Sequence, residues 1–323
     1  MPDSKPVQYR IVDRSPPDRG GERARVIEAL FENPARIEPK YFYDELGCAL
    51  YGAICRLPEY YPTRTEVALF REHRASISEA LGRGRQFVDL GAGDSCKGQA
   101  WLPFLAPARY IAVDIAHDEL ERSLSRMAPD FPEIEMLGVV ADFAAGLPLE
   151  GILDGSPATF FYPGSSIGNF APPQAVAFLA TIKAQCAMRP GSGLLIGVDA
   201  KKDAAVLDAA YDDALGVTAA FNLNVLRHLN GRFGFDFAID GFAHRGFYNA
   251  QAGRVEMHLE ALRDQSVALG ERTRRFARGE RIHTENSYKY HAEEFEGLLR
   301  QAGFSAVRHW ASPDRGYFAF YAA

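Results

Sequence analysis

The spacing of hydrophobic residues near the N-terminus has the three- and four-residue period of amphipathic helices. It predicts two short helices, around 26–31 and 46–57, and a third over about 64–81. Residues 1–21 are rich in Pro, Asp, Arg and Gly with little periodicity, so we expect a loosely ordered start.

Beyond Gly82 the pattern changes to short apolar runs that alternate with helical segments. Continuous apolar runs are typical of parallel strands buried on both faces. Each of the first four runs is followed by a loop and helix-like sequence, which predicts right-handed crossovers and an α/β, doubly wound sheet. The candidate strands are 86–90, 110–115, 134–140, 159–162 and 193–198.

This alternation stops after Asp199. Residues 201–230 are predicted to be helical, and 233–250 with 254–262 to form antiparallel strands around a turn-like 249–253. A helix at 292–302 and strands at 306–311 and 316–321 resume the α/β pattern. We therefore expect a nucleotide-binding domain of 63–200 plus 292–323, and a composite α+β second domain of 1–62 plus 201–291.

Composition excludes several classes of protein. The 323 residues are 47% hydrophobic and 24% charged, as in ordinary globular proteins. The net charge of −6 and the scattered Lys and Arg argue against nucleic acid. Apolar stretches are too short for a membrane span and residues 1–25 are polar, so a cytoplasmic location is expected. The cysteines and histidines have no metal-ligand spacing, so no metal is expected.

A glycine-rich turn follows the first candidate strand. Gly91 and Gly93 would let the backbone approach a ligand, and the next helix would present free N–H groups. Cys96 stands where a dinucleotide fingerprint has its third glycine, which weakens the case for NAD without excluding it.

The next strand ends also carry groups that suit a nucleoside. Asp114 lies where a ribose-binding acid is expected, and Asp142 with Phe143 could hold an adenine amino group and ring. Simpler interpretations remain open: Gly91 as a turn only, Asp114 as a helix cap before Ala116, and Phe143 as core. The fourth strand enters a small-residue loop, 162–170, either a ligand loop or a tight turn capped by Asn169.

Several motifs resemble one family over nearly the whole chain, the histidine-specific methyltransferases of ergothioneine biosynthesis, which make trimethylhistidine (hercynine). The Glu-Tyr-Tyr-Pro-Thr-Arg run is much more specific than any glycine loop. The segments that carry the resemblance are 41–44, 57–66, the Gly91 loop, 164–169, 210–213, 216–219, 221–222 and 284–287. Ser166, where Thr is common, is a minor departure.

The resemblance implies a monomeric, Rossmann-like class I methyltransferase that uses S-adenosyl-L-methionine, with L-histidine held by the second domain. It assigns cofactor contacts to Gly91, Lys97, Asp114, Asp142 and Phe143. It assigns the substrate carboxylate to Asn169 and Tyr211, and the α-amine to Tyr43, the expected catalytic residue. It assigns the imidazole to Tyr60, Glu285 and Ser287, with Met257 beside it.

Elementary chemistry agrees with the imidazole assignment. Glu285 and Ser287 are two residues apart, so an extended strand places both on one face, with partners for the ring nitrogens. A pocket that hydrogen-bonds a polar ring strongly rejects analogues that leave its groups unpaired. Without the resemblance, Glu285 could be a solvated charge, Met257 core, and Tyr60 and Tyr211 packing residues.

Three other functions stay open. The same scaffold could methylate another amino acid or a histidine-like metabolite. The glycine turn with Asp114 would also suit a nicotinamide-dependent oxidoreductase. A binding protein that senses the cofactor without turnover is the third. A substrate-panel assay and a comparison of NADH with S-adenosylhomocysteine would separate them.

Overall fold

The computed structural model describes residues 9–15, 21–143 and 146–323. The strands in these residues are β1 (Tyr9–Asp13), β2 (Ala35–Arg36), β3 (Gln86–Leu90), β4 (Arg109–Asp114), β5 (Glu135–Val140), β6 (Ala158–Tyr162), β7 (Gly193–Asp199), β8 (Phe242–Asn249), β9 (Arg254–Ala261), β10 (Gln265–Leu269), β11 (Arg272–Phe276), β12 (Arg281–Tyr288), β13 (Val307–Ala311) and β14 (Tyr317–Ala322).

The α-helices in the same part of the chain are α1 (Gly21–Phe31), α2 (Glu45–Ile54), α3 (Tyr61–Glu72), α4 (Arg74–Leu81), α5 (Cys96–Gln99), α6 (Leu102–Leu105), α7 (His117–Met127), α8 (Pro172–Ala187), α9 (Ala204–Tyr211), α10 (Val217–Phe233) and α11 (Ala292–Gln301). No helix in the described ranges is both long and apolar enough to cross a membrane.

An eight-stranded sheet in the order β1-β5-β4-β3-β6-β7-β14-β13 forms the larger layer. Neighbouring strands among β1, β5, β4, β3, β6 and β7 pair in parallel. β14 pairs antiparallel with both β7 and β13. β3 to β7 are almost entirely buried, because apolar clusters cover both faces of the sheet. The predicted doubly wound α/β sheet is confirmed.

A smaller four-stranded sheet, β2-β12-β9-β8, stands apart from the first, with β10 and β11 as a separate hairpin. One face of β9 carries Val255, Met257 and Leu259, which join an apolar cluster with residues of α1, α2, α9 and α10. The N-terminal helices therefore pack with the chain that follows β7, although they are far apart in sequence. We call this apolar cluster the composite core and propose that it corresponds to the composite second domain.

Two expectations near the N-terminus need correction. The loosely ordered start is wrong for Tyr9–Asp13, which forms an edge strand parallel to β5. The rest of that expectation falls on 1–8 and 16–20, outside the described residues, apart from 14–15 and Gly21, where α1 begins. The single helix over 64–81 is two helices, because His73 leaves helical geometry (φ −98°, ψ 11°) between α3 and α4.

Two later segments also differ from the prediction. The strand predicted over 233–250 begins only at Phe242, because α10 runs to Phe233 and Gly234 ends it with φ +69°. The connection from β5 to β6 has no α-helix in its described residues, 141–143 and 146–157. Glycines and prolines at 146, 148, 151, 155 and 157 disfavour one there.

Candidate active site

The carboxyl ends of β3, β4, β5 and β6 lie at one edge of the large sheet, where open α/β folds bind ligands. The loop after β6 brings β12 of the small sheet to this edge. A Cβ atom on Gly168 would lie 2.8 Å from the carbonyl oxygen of Tyr288, so only glycine permits this approach. We call the region where this edge meets β12 the junction.

The glycine turn and Asp114 are joined by backbone hydrogen bonds. The amide of Gly93 donates to Asp114 Oδ2 at 2.9 Å, and that of Ala116 donates to Oδ1 at 3.0 Å. Gly91 has φ +68°, a conformation that favours glycine. Burial raises the pKa of Asp114, and the backbone N–H groups oppose that shift. Asp114 thus binds the start of the α7 segment, yet each carboxylate oxygen retains a lone pair.

Phe143 faces the glycine turn across the sheet edge. A Cβ atom on Gly91 would lie 3.6 Å from Phe143 Cζ. The ring packs against Tyr162 and Phe178, with centroid distances of 5.8 Å to each, and remains partly exposed. Asp142, beside it, lies 3.3 Å from the ammonium of Lys40. The structure thus brings Gly91, Asp114 and the Asp142–Phe143 pair to one edge.

Lys97 is held by a buried acid that the sequence reading did not assign. Glu66, on α3, is fully buried, and its Oε2 accepts from Lys97 Nζ at 2.6 Å. Glu66 Oε1 accepts from the amide of Gly164 at 2.7 Å and from the hydroxyl of Tyr317 at 2.7 Å. One carboxylate therefore ties the helix after the glycine turn to the loop after β6.

A β-bulge determines which way Glu285 points. His283 pairs with His258, but Glu285 pairs with Met257, so Thr284 is an extra residue in β12. Side chains alternate along a strand, and one added residue reverses the faces that follow. Ile282 points to the core before the bulge, and Glu285 lies on the face of Met257 after it.

The bulge is held by hydrogen bonds of buried side chains. Thr284 Oγ1 lies 2.8 Å from Asn222 Oδ1 and 3.0 Å from the carbonyl oxygen of Met257. The amide of Asn222 in turn donates to His244 and to the carbonyl oxygen of His258. Asn222 comes from α10, so a helix of the composite core fixes the orientation of Glu285.

Ser287 and Tyr211 meet at the junction. Ser287 follows Glu285 on the same face of β12, and its Oγ lies 2.8 Å from Tyr211 Oη. The ammonium of Lys289 donates to both oxygens, at 2.9 and 3.0 Å, and pairs with Asp199 at 2.8 Å. Lys289 and Asp199 are fully buried, and the sequence reading assigned neither.

Glu285 is a carboxyl group in a low-polarity setting. Burial raises its pKa to about 7, and the positive charge of Lys289 opposes the rise only in part. The side chain keeps some solvent-exposed surface. With its nitrogen turned toward β12, the Asn169 amide donates to Glu285 Oε1 at 3.2 Å and to the Asn286 carbonyl at 3.1 Å. Near neutral pH this carboxyl can either accept or donate a proton.

A row of tyrosine rings runs from Tyr43 to Tyr211. Tyr60 lies 6.1 Å from Tyr211 and 6.5 Å from Tyr51 between ring centroids, and Tyr43 lies 6.1 Å from Tyr51. Burial raises the pKa of Tyr43, and the negative charges of Glu285 and Asp114 raise it further. The row of rings therefore links Tyr43 to Tyr211, whose hydroxyl contacts Ser287 on β12.

The unassigned residues did leave signals in the sequence. Lys289 continues the two-residue alternation that begins with Glu285 and Ser287. Asp199 ends β7 as Asp114 ends β4, and Glu66 is an acid among the buried residues of α3. The bulge at Thr284 had no local signal, because register depends on the partner strand.

Two surface hollows lie away from the junction. One of about 680 Å³ is lined by Phe31 and residues of β10 and β11, and one of about 400 Å³ lies between Pro58 and Ala209. Neither includes Glu285, Ser287 or Asp114. The site is therefore identified by its converging side chains rather than by the size of a hollow.

Comparisons with known proteins identify the family of this chain. Residues 22–323 match the family model described as histidine-specific, SAM-dependent methyltransferases. The chain is 37% identical to a histidine N-alpha-methyltransferase of Mycolicibacterium smegmatis, over 90% of this chain and 91% of that one. A protein of the same name from Mycobacterium tuberculosis is 36% identical, over 89% and 90%. Ergothioneine biosynthesis protein 1 of Neurospora crassa is 31% identical, over 86% of this chain and 32% of that larger protein.

Proposed function

The chain belongs to the family of histidine-specific, S-adenosylmethionine-dependent methyltransferases, and from this we propose that it methylates the α-amine of L-histidine three times. The product would be trimethylhistidine (hercynine), formed in the first step of ergothioneine biosynthesis. The observation that carries the proposal is the bulge-directed alignment of Glu285 and Ser287 on one face of β12, beside the loop that follows β6. We further propose that the enzyme acts as a cytoplasmic monomer.

The groups at the sheet edge fit S-adenosylmethionine. The lone pairs left on Asp114 can accept from ribose hydroxyls, and Asp142 can accept from an adenine amino group. Phe143 offers a partly exposed ring to the base, and Gly91 lets the backbone approach. Lys97 donates one N–H to Glu66 and has two more for the carboxylate of S-adenosylmethionine. These five residues are the proposed cofactor contacts.

The β12 side fits the two ends of histidine. Glu285 and Ser287 would take the two ring nitrogens, beside the buried Met257 and Tyr60. Asn169 and Tyr211 would hold the carboxylate. Asn169 now gives one amide proton to Glu285, and a ring that binds Glu285 would free that proton for the carboxylate. Ring and carboxylate binding would thereby support each other.

Tyr43 is the proposed catalytic residue at the amine. When bound, the cofactor supplies a sulfonium methyl group, and each transfer breaks an S–C bond whose electrons stay on sulfur while an N–C bond forms. Because the pKa of Tyr43 is raised, its hydroxyl stays protonated and can orient the amine lone pair by accepting an N–H in the first two transfers. The dimethylated amine that attacks last has no N–H. A proton must leave the nitrogen before each attack, and Tyr43 can pass it to a neighbouring water. Orientation supplies most of the catalysis.

A substrate-panel assay tests the proposal. The purified chain is incubated with S-adenosylmethionine and each common amino acid in turn, and products are analysed by mass spectrometry. Histidine should gain one to three methyl groups, all on the α-nitrogen, and the other amino acids none. Methylation of a different amino acid in preference to histidine would support the alternative, an N-methyltransferase of the same scaffold acting on another acceptor.

A further inference from the structure

The buried ammonium of Lys289 contacts two of the proposed histidine-binding hydroxyls at once. Its three acceptors are Asp199 Oδ2 at 2.8 Å, Tyr211 Oη at 3.0 Å and Ser287 Oγ at 2.9 Å. An ammonium has three protons and no lone pair, so all three are used. Both hydroxyl oxygens therefore accept from Lys289.

Counting the remaining protons shows what the hydroxyls can offer a ligand. Tyr211 and Ser287 have one hydroxyl proton each and lie 2.8 Å apart, so one of them donates to the other. Only one proton is left for a ligand. If Tyr211 donates it to a substrate carboxylate, Ser287 must donate to Tyr211. Ser287 then has one lone pair free and can only accept from the substrate.

We propose that Lys289 is a positioning residue that determines substrate specificity. It occupies one lone pair on each hydroxyl, and its charge favours Tyr211 as the donor to the substrate carboxylate, which leaves Ser287 as an acceptor for an imidazole N–H. The inference rests on the proposed function and adds the direction of each hydrogen bond. It also gives the anionic carboxylate a positive charge one hydroxyl away, where Asn169 and Tyr211 alone are neutral. The other ring nitrogen then faces Glu285.

Electrostatics supports this direction. Burial raises the pKa of Tyr211, and Lys289 opposes that rise, which makes the hydroxyl a stronger donor. The groups around Lys289 are Asp199, Tyr211, Ser287 and, at longer range, Glu285 and the ammonium of Lys202. A buried ammonium normally requires such partners, because an unpaired one is strongly destabilising.

Lys202 is a matched control on the same carboxylate. It pairs with the other oxygen of Asp199, at 2.6 Å, and donates to the carbonyl oxygen of Gly316 at 2.7 Å. Its bonds reach neither Tyr211 nor Ser287. Replacing Lys202 therefore disturbs the Asp199 ion pair without changing the proton arrangement at the substrate hydroxyls.

The experiment compares histidine with histamine, which has the ring and an amine but no carboxylate. Affinities are measured by calorimetry in the presence of S-adenosylhomocysteine for the unmodified enzyme, Lys289→Met and Lys202→Met. Loss of a charge-assisted hydrogen bond predicts that histidine binding weakens about 10- to 100-fold in Lys289→Met. Histamine binding should change by less than about threefold, so the preference for histidine falls, whereas Lys202→Met should keep it.

Two further variants separate positioning from folding. The double variant Asp199→Asn/Lys289→Met removes both charges of the buried pair, which proteins often tolerate, and should lose the same preference. Because Lys289 acts through Tyr211, adding Lys289→Met to Tyr211→Phe should reduce the preference little further.

The outcomes distinguish the two proposals. The role of Lys289 would be overturned if Lys289→Met or Asp199→Asn/Lys289→Met bound histidine over histamine with the same preference as the unmodified enzyme. It would also be overturned if Lys202→Met lost as much of this preference as Lys289→Met. If the unmodified enzyme methylates histidine, the proposed function survives that result. Failure of the unmodified enzyme to methylate histidine would overturn both.

Discussion

The two sides of the junction are built from different kinds of structure. On the glycine-turn side, Gly91, Asp114 and Phe143 come from the ends of neighbouring parallel strands and remain partly or fully exposed. On the β12 side, Ser287, Lys289 and Tyr211 are buried and bond to one another. The first side relies on chain topology and the second on a side-chain network.

This difference has a consequence for binding and specificity. Backbone N–H groups and strand-end acids suit a cofactor shared by many enzymes, since they recognise ribose and charge. A buried network discriminates among substrates, because a ligand that leaves its polar groups unpaired loses binding free energy. Mutations on the two sides should therefore change different measurements, and each prediction below tests that separation.

The largest effect is expected from Glu285→Ala. It removes the proposed partner of one imidazole nitrogen, and kcat/KM for histidine should fall about 10³-fold or more. S-adenosylhomocysteine affinity should stay within about twofold, because Glu285 lies on the β12 side. Glu260→Ala is the control, since Glu260 is on the adjacent strand and pairs at the surface with Arg245 and Arg281. Equal decreases in kcat/KM for histidine and in S-adenosylhomocysteine affinity would contradict the separation.

Asp114→Asn should give the converse result. An amide keeps the size of the side chain but loses the charge and one of the acceptors proposed for the ribose hydroxyls, so S-adenosylhomocysteine affinity should fall about 10- to 100-fold. Histidine affinity, measured with saturating S-adenosylhomocysteine, should change little. Calorimetry with each ligand checks both statements. Asp118→Asn, an exposed acid in the first turn of α7, should change neither affinity.

The same contrast explains how much could be predicted from the sequence. Apolar runs predicted β3 to β7 within a residue or two, and their order placed Asp114 and Phe143 at one edge. β1 was missed because a short edge strand needs a distant partner, β5, to be recognised. The assignments of Glu285 and Ser287 depended on family resemblance. Local sequence alone gives no register for β12, and without the bulge Glu285 would face the opposite side.

The bulge itself can be tested with Thr284→Val, which keeps the shape but removes the hydroxyl. Asn222 loses a buried donor, so the free energy of unfolding should fall by about 1–2 kcal/mol. KM for histidine should rise about 5- to 20-fold as Glu285 becomes less fixed, with cofactor affinity unchanged. Thr181→Val is the control, because Thr181 is partly exposed on α8 and bonds only to its own helix. A stability loss without a change in KM would show that the bulge does not position Glu285.

The smallest effect concerns the stability of the ligand-free protein and its dependence on pH. The folded-state pKa of Glu285 is about 7, above the ordinary value of 4.5, so folding favours the protonated carboxyl. The resulting destabilisation is absent below about pH 4.5, grows as pH rises, and is complete above about pH 7.

Glu285→Gln, which cannot ionise, should therefore unfold at a higher temperature than the unmodified protein at pH 8. Because the side chain is partly exposed, we expect a difference of only about 1–2 kcal/mol. Thermal unfolding from pH 5 to pH 8 should show the gap closing as pH falls, and a constant gap would mean that Glu285 is ionised in the folded protein throughout that range.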